Sequence, residues 1–203
     1  MELVYIEYFS RRPGVDLETF RSQAAQGQEG WDSGYGEDRL VLALARTWRL
    51  GPEPEYLAVW HSPEAGFDRL DTWDDIFRSG EADHLEQPFF QVARIDVAGC
   101  YEPLLEPLQA RNGVYYIEFF RVHEDLDAVR TFYLERSQAH REYRLNLLVH
   151  RIGKLGPEPG GLAVWTLPDF ASLGKIAPAL DAVYQPIELV TAGTYTDFGS
   201  EIL

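Results

Sequence analysis

Cysteine is all but missing from this chain: Cys100 is the one thiol in 203 residues, so an internal disulfide is impossible and a disulfide-stapled secreted scaffold is excluded. The cytoplasm is therefore the expected location. Cys100 itself reads as strand-end filler, because the nearby Asp96 and Glu102 offer none of the positive charge that activates a thiolate. Long apolar runs are missing too. No stretch approaches the roughly 18 residues of a spanning helix, and Met1 to Phe9 lacks the basic start and apolar run of a signal peptide. Basic residues are scarce, 18 Lys and Arg against 33 Asp and Glu, and the net charge of −15 repels phosphate. Neither nucleic acid nor an anionic membrane surface is an expected partner. The glycine-rich phosphate loops G-x-G-x-x-G and G-x-x-x-x-G-K-[ST] do not occur, nor does G-x-S-x-G, which argues against a nucleotide cofactor and a serine hydrolase. The five histidines show no metal-ligand spacing, so no metal is expected.

What the chain does contain is itself, twice. Tyr5-Ile-Glu-Tyr-Phe9 returns as Tyr116-Ile-Glu-Phe-Phe120, and Ala98-Gly-Cys-Tyr101 returns as Ala192-Gly-Thr-Tyr195. Between them Leu50-Gly-Pro-Glu-Pro-Glu-Tyr-Leu-Ala-Val-Trp60 returns as Leu155-Gly-Pro-Glu-Pro-Gly-Gly-Leu-Ala-Val-Trp165. Three colinear blocks in one order indicate a duplicated unit. The expected organisation is a first repeat over 1–102, a Pro-bounded linker over 103–112 and a second repeat over 113–203.

Period-2 alternation and helical spacing give each repeat the order β-α-β-β-α-β. In the first, strands are expected at about 3–10, 40–49, 55–61 and 89–98, with a turn at Gly51 to Pro54. One helix starts near Asp16 and another after Ser62, a candidate N-cap followed by Pro63. In the second, helices are expected at about 124–141 and 168–180, a turn at Gly156 to Pro159 and a last strand at about 187–197. This order makes a four-stranded antiparallel sheet with helices on one face, the ferredoxin-like arrangement. The other face is also apolar and must be covered, most simply by the twin sheet. The expected fold class is thus α+β: two tandem ferredoxin-like repeats whose sheets pack as a barrel-type pseudo-dimer.

The strand-one pattern, the Gly-Pro-Glu-Pro hairpin and the Leu-Ala-Val-Trp strand running into Ser-Pro-Glu or Leu-Pro-Asp resemble the dimeric α/β-barrel superfamily in tandem-fused form, most closely its NIPSNAP and EthD-type branches. The resemblance covers about 1–101 and 113–199. It implies a small-molecule-binding protein with a hydrophobic or aromatic ligand. One implied activity is cofactor-independent monooxygenase, isomerase or cyclase chemistry on a small hydrophobic or aromatic carbonyl compound. The alternatives are a non-catalytic binding or scaffold module and a haem-binding protein. No cofactor is expected, haem being the exception the superfamily allows. Fusion permits a monomer, with a homodimer of the pseudo-dimer as the other possibility.

Glu7 and Glu118 stand in mid-strand, in phase with Tyr5, Phe9, Tyr116 and Phe120, and that phase is expected to line the barrel. A carboxylate among aromatic walls has a raised pKa and suits general acid–base work. The plainer reading is an ion pair with Arg46 or Arg151, which occupy matching places. Among the histidines His61, His84, His123, His140 and His150, none recurs in both repeats; His150, beside Arg151, is the candidate for proton transfer. Trp60 and Trp165 recur and are expected to pack or to contact ligand. The candidate set is therefore Glu7, Glu118 and His150 for catalysis, with Tyr5, Phe9, Arg46, Trp60, Tyr116, Phe120, Arg151 and Trp165 for ligand binding. The run Arg-Ser-Gln-Ala at Arg21 and again at Arg136 falls a turn out of register and reads as coincidence.

Overall fold

The computed structural model describes residues 2–31, 38–47, 55–63, 67–68, 71, 88–110, 112–176 and 185–197. The N-terminal half supplies β1 (Leu3–Arg11), α1 (Leu17–Trp31), β2 (Arg39–Arg46), β3 (Tyr56–Ser62), the short α2 (Pro88–Val92) and β4 (Ala93–Pro103). The C-terminal half supplies β5 (Val114–Val122), α3 (Leu126–Ala139), β6 (Arg144–Arg151), β7 (Gly161–Leu167), a 3-10 turn (Phe170–Ser172) leading into α4 (Leu173–Ile176), and β8 (Ile187–Asp197). The expected turn at Gly51 to Pro54 and the helix after Ser62 lie outside the described residues. The Ser62 hydroxyl itself donates to the Asp38 carboxylate. The strand expected at about 89 begins only at Ala93; Phe89 and Phe90 sit in α2, where they pack edge to face.

Both long helices start on an aspartate. Asp16 accepts from the backbone N–H of Thr19 at 2.7 Å, and Asp125 accepts from that of Ala128 at 2.7 Å, each satisfying one of the amides a helix leaves unpaired at its start.

The strands form one closed barrel in the order β1-β3-β2-β8-β5-β7-β6-β4. Each half is an antiparallel sheet with its first strand in the middle. Tyr5 lies opposite Trp60 and Cys100; Tyr116 lies opposite Trp165 and Thr194. The halves join where β2 meets β8 at Leu44 to Arg46, and where β4 meets β6 at Tyr101 to Pro103. The expected linker runs beside β6, with the Leu104 and Leu108 amides donating to the Leu148 and Asn146 carbonyls at 2.8 Å.

Two kinds of core result. Val4, Ile6 and Tyr8 share one cluster with Tyr115, Ile117 and Phe119, which places this phase of the first strands inside the barrel. The other phase packs beneath the helices: Phe9 with Phe20, Tyr56 and Phe89 in one half, and Tyr116 and Phe120 with Val129, Tyr133 and Trp165 in the other. The expectation that Tyr5, Glu7, Phe9, Tyr116, Glu118 and Phe120 line the barrel is thus corrected. They face the helix layer. Both phases are apolar and both carry rings, Tyr8, Tyr115 and Phe119 inside the barrel among them, so alternation could not choose between them.

At the β4–β6 seam the hairpin 152–160 locks onto β4: Cys100 N–H donates to Leu155 O at 2.7 Å and Ile152 N–H to Cys100 O at 2.9 Å. Gly156 (φ +146) lies so close to Gly99 that a Cβ on it would sit 2.8 Å from the Gly99 Cα. Backbone cannot yield as a side-chain tip can. Gly156→Ala is expected to cost about 2 kcal/mol or more, whereas Gly153→Ala, at φ +55 with nothing within 4 Å, costs about 1 kcal/mol for its left-handed backbone alone. Urea unfolding of the two variants checks the ranking; equal losses would show that the seam is loosely packed.

Candidate functional site

The two mid-strand glutamates occupy matching places and have different surroundings. Glu118 is 0% exposed. Its Oε1 accepts from Arg136 Nη2 at 2.7 Å, and its Oε2 accepts from Arg136 Nη1 at 2.9 Å and from the Tyr133 hydroxyl at 3.0 Å. The guanidinium carbon lies 5.0 Å from the centre of the Trp165 ring, so the cation is held by carboxylate and indole together. Burial, and then the charge of Glu118, hold the Tyr133 hydroxyl well above the ordinary tyrosine range. The expected ion pair is present with a different partner: Arg136, from the run set aside as coincidence. Arg46 and Arg151 instead brace the hairpins, Arg46 on Glu55 at 3.7 Å, and Arg151 on the Gly156 carbonyl at 2.9 Å and on Glu158. A buried glutamate opposite a helix calls for a cation on that helix, and this is the signal by which Arg136 could have been found.

Glu7 has no such cation among the described residues. Its Oε2 accepts from the Trp60 indole N–H at 3.1 Å. Both Glu7 and Tyr5 are half-buried, whereas their counterparts Glu118 and Tyr116 are buried. Among the described residues Glu7 thus keeps some exposed surface in mid-sheet, and the equivalent Glu118 keeps none. Desolvation raises the Glu7 carboxyl from 4.5 to about 7, with the Trp60 hydrogen bond pulling the other way. Burial, followed by the charge of Glu7, pushes the Tyr5 hydroxyl up.

The remaining candidates fall elsewhere. His150 sits on the β4–β6 seam with Nδ1 3.6 Å from Glu102. His61 lies 3.5 Å from Glu2, His123 lies 3.7 Å from Glu188, and His140 stacks on Tyr143. His84 lies outside the described residues. Inside the barrel, and not anticipated, the Tyr8 and Tyr101 hydroxyls meet at 3.2 Å and Tyr115 donates to Asp197 at 3.0 Å. Among the described residues no group of His, Cys, Asp and Glu is arranged to hold a metal ion, and no helix is long and apolar enough to cross a membrane.

Comparison with solved structures places this architecture. A substituted chlorite dismutase from Candidatus Nitrospira defluvii, in complex with cyanide, superposes with a TM-score of 0.57 at 10% identity, over 98% of this chain and 92% of that one. The fold is a dimeric α/β-barrel. A second barrel of this kind, described as an anthrone oxidase-like protein, superposes with a TM-score of 0.54 at 8% identity, over 97% of this chain and 90% of the other. No family model and no curated protein matches the sequence. At these identities the likeness concerns the barrel alone.

Proposed function

We propose that the chain binds a small hydrophobic or aromatic carbonyl compound against Glu7, beneath the helices of the N-terminal half, and that Glu7 takes up a proton from it without a cofactor. The observation that carries this reading is the contrast between the two glutamates: one neutralised by Arg136 and sealed, the other half-buried, held by a single indole N–H, and shifted to the range where a carboxylate is a useful base at neutral pH. Monooxygenation, isomerisation and cyclisation of such compounds can each begin by removing a proton next to a carbonyl. Trp60 fixes one carboxylate oxygen, Oε1 faces the ligand, and Tyr5 forms part of the aromatic wall. An anthrone is an aromatic ketone, so the anthrone oxidase-like neighbour is named for chemistry of this class. In the same reading residues 1–102 and 113–203 are diverged copies of one unit, and the second has become a non-catalytic scaffold.

Haem, which the superfamily resemblance allows, does not fit the helix layer of the C-terminal half. Tyr133, Phe120 and Trp165 fill it at 0%, 0% and 1% exposure. On the helix side of the N-terminal half no histidine is present among the described residues; His61 lies opposite Val4, on the barrel side.

Native mass spectrometry of protein purified from its own host tests the proposal. The expected result is a retained small organic molecule whose occupancy falls in Glu7→Gln. A retained molecule indifferent to that substitution, or a haem Soret band, would overturn it.

A further inference from the structure

Residues 112 and 113 answer two separate structural demands where the linker enters β5. Asn112 stands at φ +59, the left-handed region that asparagine tolerates better than most residues with a side chain. Gly113 is tightly placed: a Cβ on it would lie 3.0 Å from Thr166 Cγ2 and 3.2 Å from the Tyr115 ring, closer than ordinary van der Waals contact. Together they make Asn-Gly, a pair in which the second nitrogen is unshielded from the asparagine side chain because glycine carries no Cβ.

The reaction open to such a pair is loss of the side-chain amide. Once the Gly113 nitrogen gives up its proton to a base in solution, the electron pair left behind bonds to Asn112 Cγ; the Cγ–Nδ2 bond breaks, and Nδ2 takes back a proton and leaves as ammonia. A five-membered imide results. Water then opens it at one carbonyl or the other, giving aspartate or an isoaspartate whose backbone runs through the former side chain. Amide and water become acid and ammonia, with no change of oxidation state.

In the folded chain the attacking pair is held elsewhere. The Gly113 N–H donates to Asp197 Oδ2 at 2.8 Å, and Asp197, 8% exposed, also takes the Tyr115 hydroxyl on Oδ1 at 3.0 Å. That pair lies along the former N–H bond, and here the bond points at Asp197. A carboxylate at this distance also opposes an anionic nitrogen. Asp197 ends β8 and lies opposite Leu44, so the hydrogen bond is fastened beside the β2–β8 seam. Asn112 itself is exposed to water and base. Asn146, the chain's other asparagine, is 1% exposed, accepts from the Thr166 hydroxyl and precedes a leucine.

We propose that Asn112 is a site of deamidation through a succinimide, and that Asp197 is the latch whose hold on the Gly113 N–H sets the rate. A chain modified there gains a carboxylate next to Gly113 and, as isoaspartate, an extra methylene in the backbone between linker and β5. The proposal shares no residue with the Glu7 site and stands or falls without it.

Incubation of the intact protein at mildly alkaline pH, followed by peptide mapping by mass spectrometry and an isoaspartate-specific methylation assay, tests it. In the urea-unfolded chain Asn112 is expected to convert faster than Asn146. In the folded protein it is expected to convert about tenfold or more slowly than in the unfolded chain, the scale of one hydrogen bond to a charged acceptor. Asp197→Ala is expected to raise the folded-state rate by a similar factor while the circular dichroism spectrum is retained. Asp197→Asn, which keeps an acceptor oxygen and drops the charge, is expected to raise it less, and it decides the matter if the alanine variant fails to fold. Gly156→Ala, which weakens the opposite seam, is expected to leave the rate at Asn112 unchanged, and so separates the latch from general loosening. Equal rates in the folded and unfolded chain, a rate that neither Asp197 variant raises, or equal acceleration by Gly156→Ala overturns the proposal, as does an Asn112 that stays intact in the unfolded chain.

Discussion

Arg136→Met is expected to lower the unfolding free energy by about 3–5 kcal/mol, the loss typical of stranding a charge in an interior. Glu118 has no exposed surface to turn toward, and its two oxygens are served by one guanidinium and one phenol. Removing the guanidinium leaves Tyr133 as the remaining donor and forces the carboxylate either to stay desolvated or to take up a proton. Taking both partners away is a different experiment. In Glu118→Leu/Arg136→Met neither charge has to be desolvated, and the double variant is expected to recover to within about 1–2 kcal/mol of the starting protein, since the attraction within a buried pair largely offsets the cost of burying it. Urea denaturation of the single and double variants makes the comparison. A single variant that loses less than about 1 kcal/mol would show that Glu118 reaches water, and the contrast between the two halves would collapse with it.

Glu7→Gln is expected to act with the opposite sign on stability while removing activity. The folded-state value of about 7 lies above the ordinary 4.5, so the folded protein holds this proton more tightly than the unfolded chain does. The contribution is fully present below the unfolded value and is lost as pH rises from 4.5 through about 7. Above that range the carboxylate is ionised in both states and the group costs stability. A shift of this size converts to several kcal/mol only for a fully enclosed group; with Glu7 half-buried, about 1–2 kcal/mol is the fitting scale. The glutamine variant is therefore expected to be more stable than the parent at pH 8, equal to it near pH 4, and free of the slope between. If Glu7 is the proton acceptor, turnover of the carbonyl substrate falls in the same variant by about 10²–10⁴-fold. A protein that gains stability and loses turnover identifies a group kept at thermodynamic cost for its chemistry. One that loses both has suffered structural damage, and one that keeps turnover removes Glu7 from the mechanism.

The net charge has little part in either effect, because both glutamates sit in mid-sheet. Glu118 owes its neutralisation to a single helix turn. Tyr133 and Arg136 lie one turn apart on the buried face of α3, so the phenol and the guanidinium reach one carboxylate together. Counted from Asp16 and Asp125, the corresponding places of the sequence hold Ala24 and Gly27, residue types without a side-chain donor. The recurring strand motif Tyr-Ile-Glu-(Tyr/Phe)-Phe thus sits in two settings, a buried ion pair at Glu118 and a half-buried carboxylate held by the Trp60 indole at Glu7.

Much of this was legible before any coordinates. Repetition of Tyr5 to Phe9, of Leu50 to Trp60 and of Ala98 to Tyr101 dictated the β-α-β-β-α-β order, and apolar side chains on both phases of β1 and β5 required each sheet to be covered twice, which a closed barrel achieves. Which phase went inward was not legible, since Val4, Ile6 and Tyr8 are as apolar as Tyr5 and Phe9 and alternation is blind to direction. The partner of Glu118 was legible only as a cation on the helix after β5: Arg136 lies 18 residues on, and the packing of α3 across β5 brings its guanidinium to the carboxylate. Local pattern therefore determined which segments become strands and helices and that two sheets must close on each other. The tertiary structure alone decided which glutamate is paired with a guanidinium and which is held by an indole N–H, because a carboxylate's partners come from the elements packed against it and strand alternation does not say which those are.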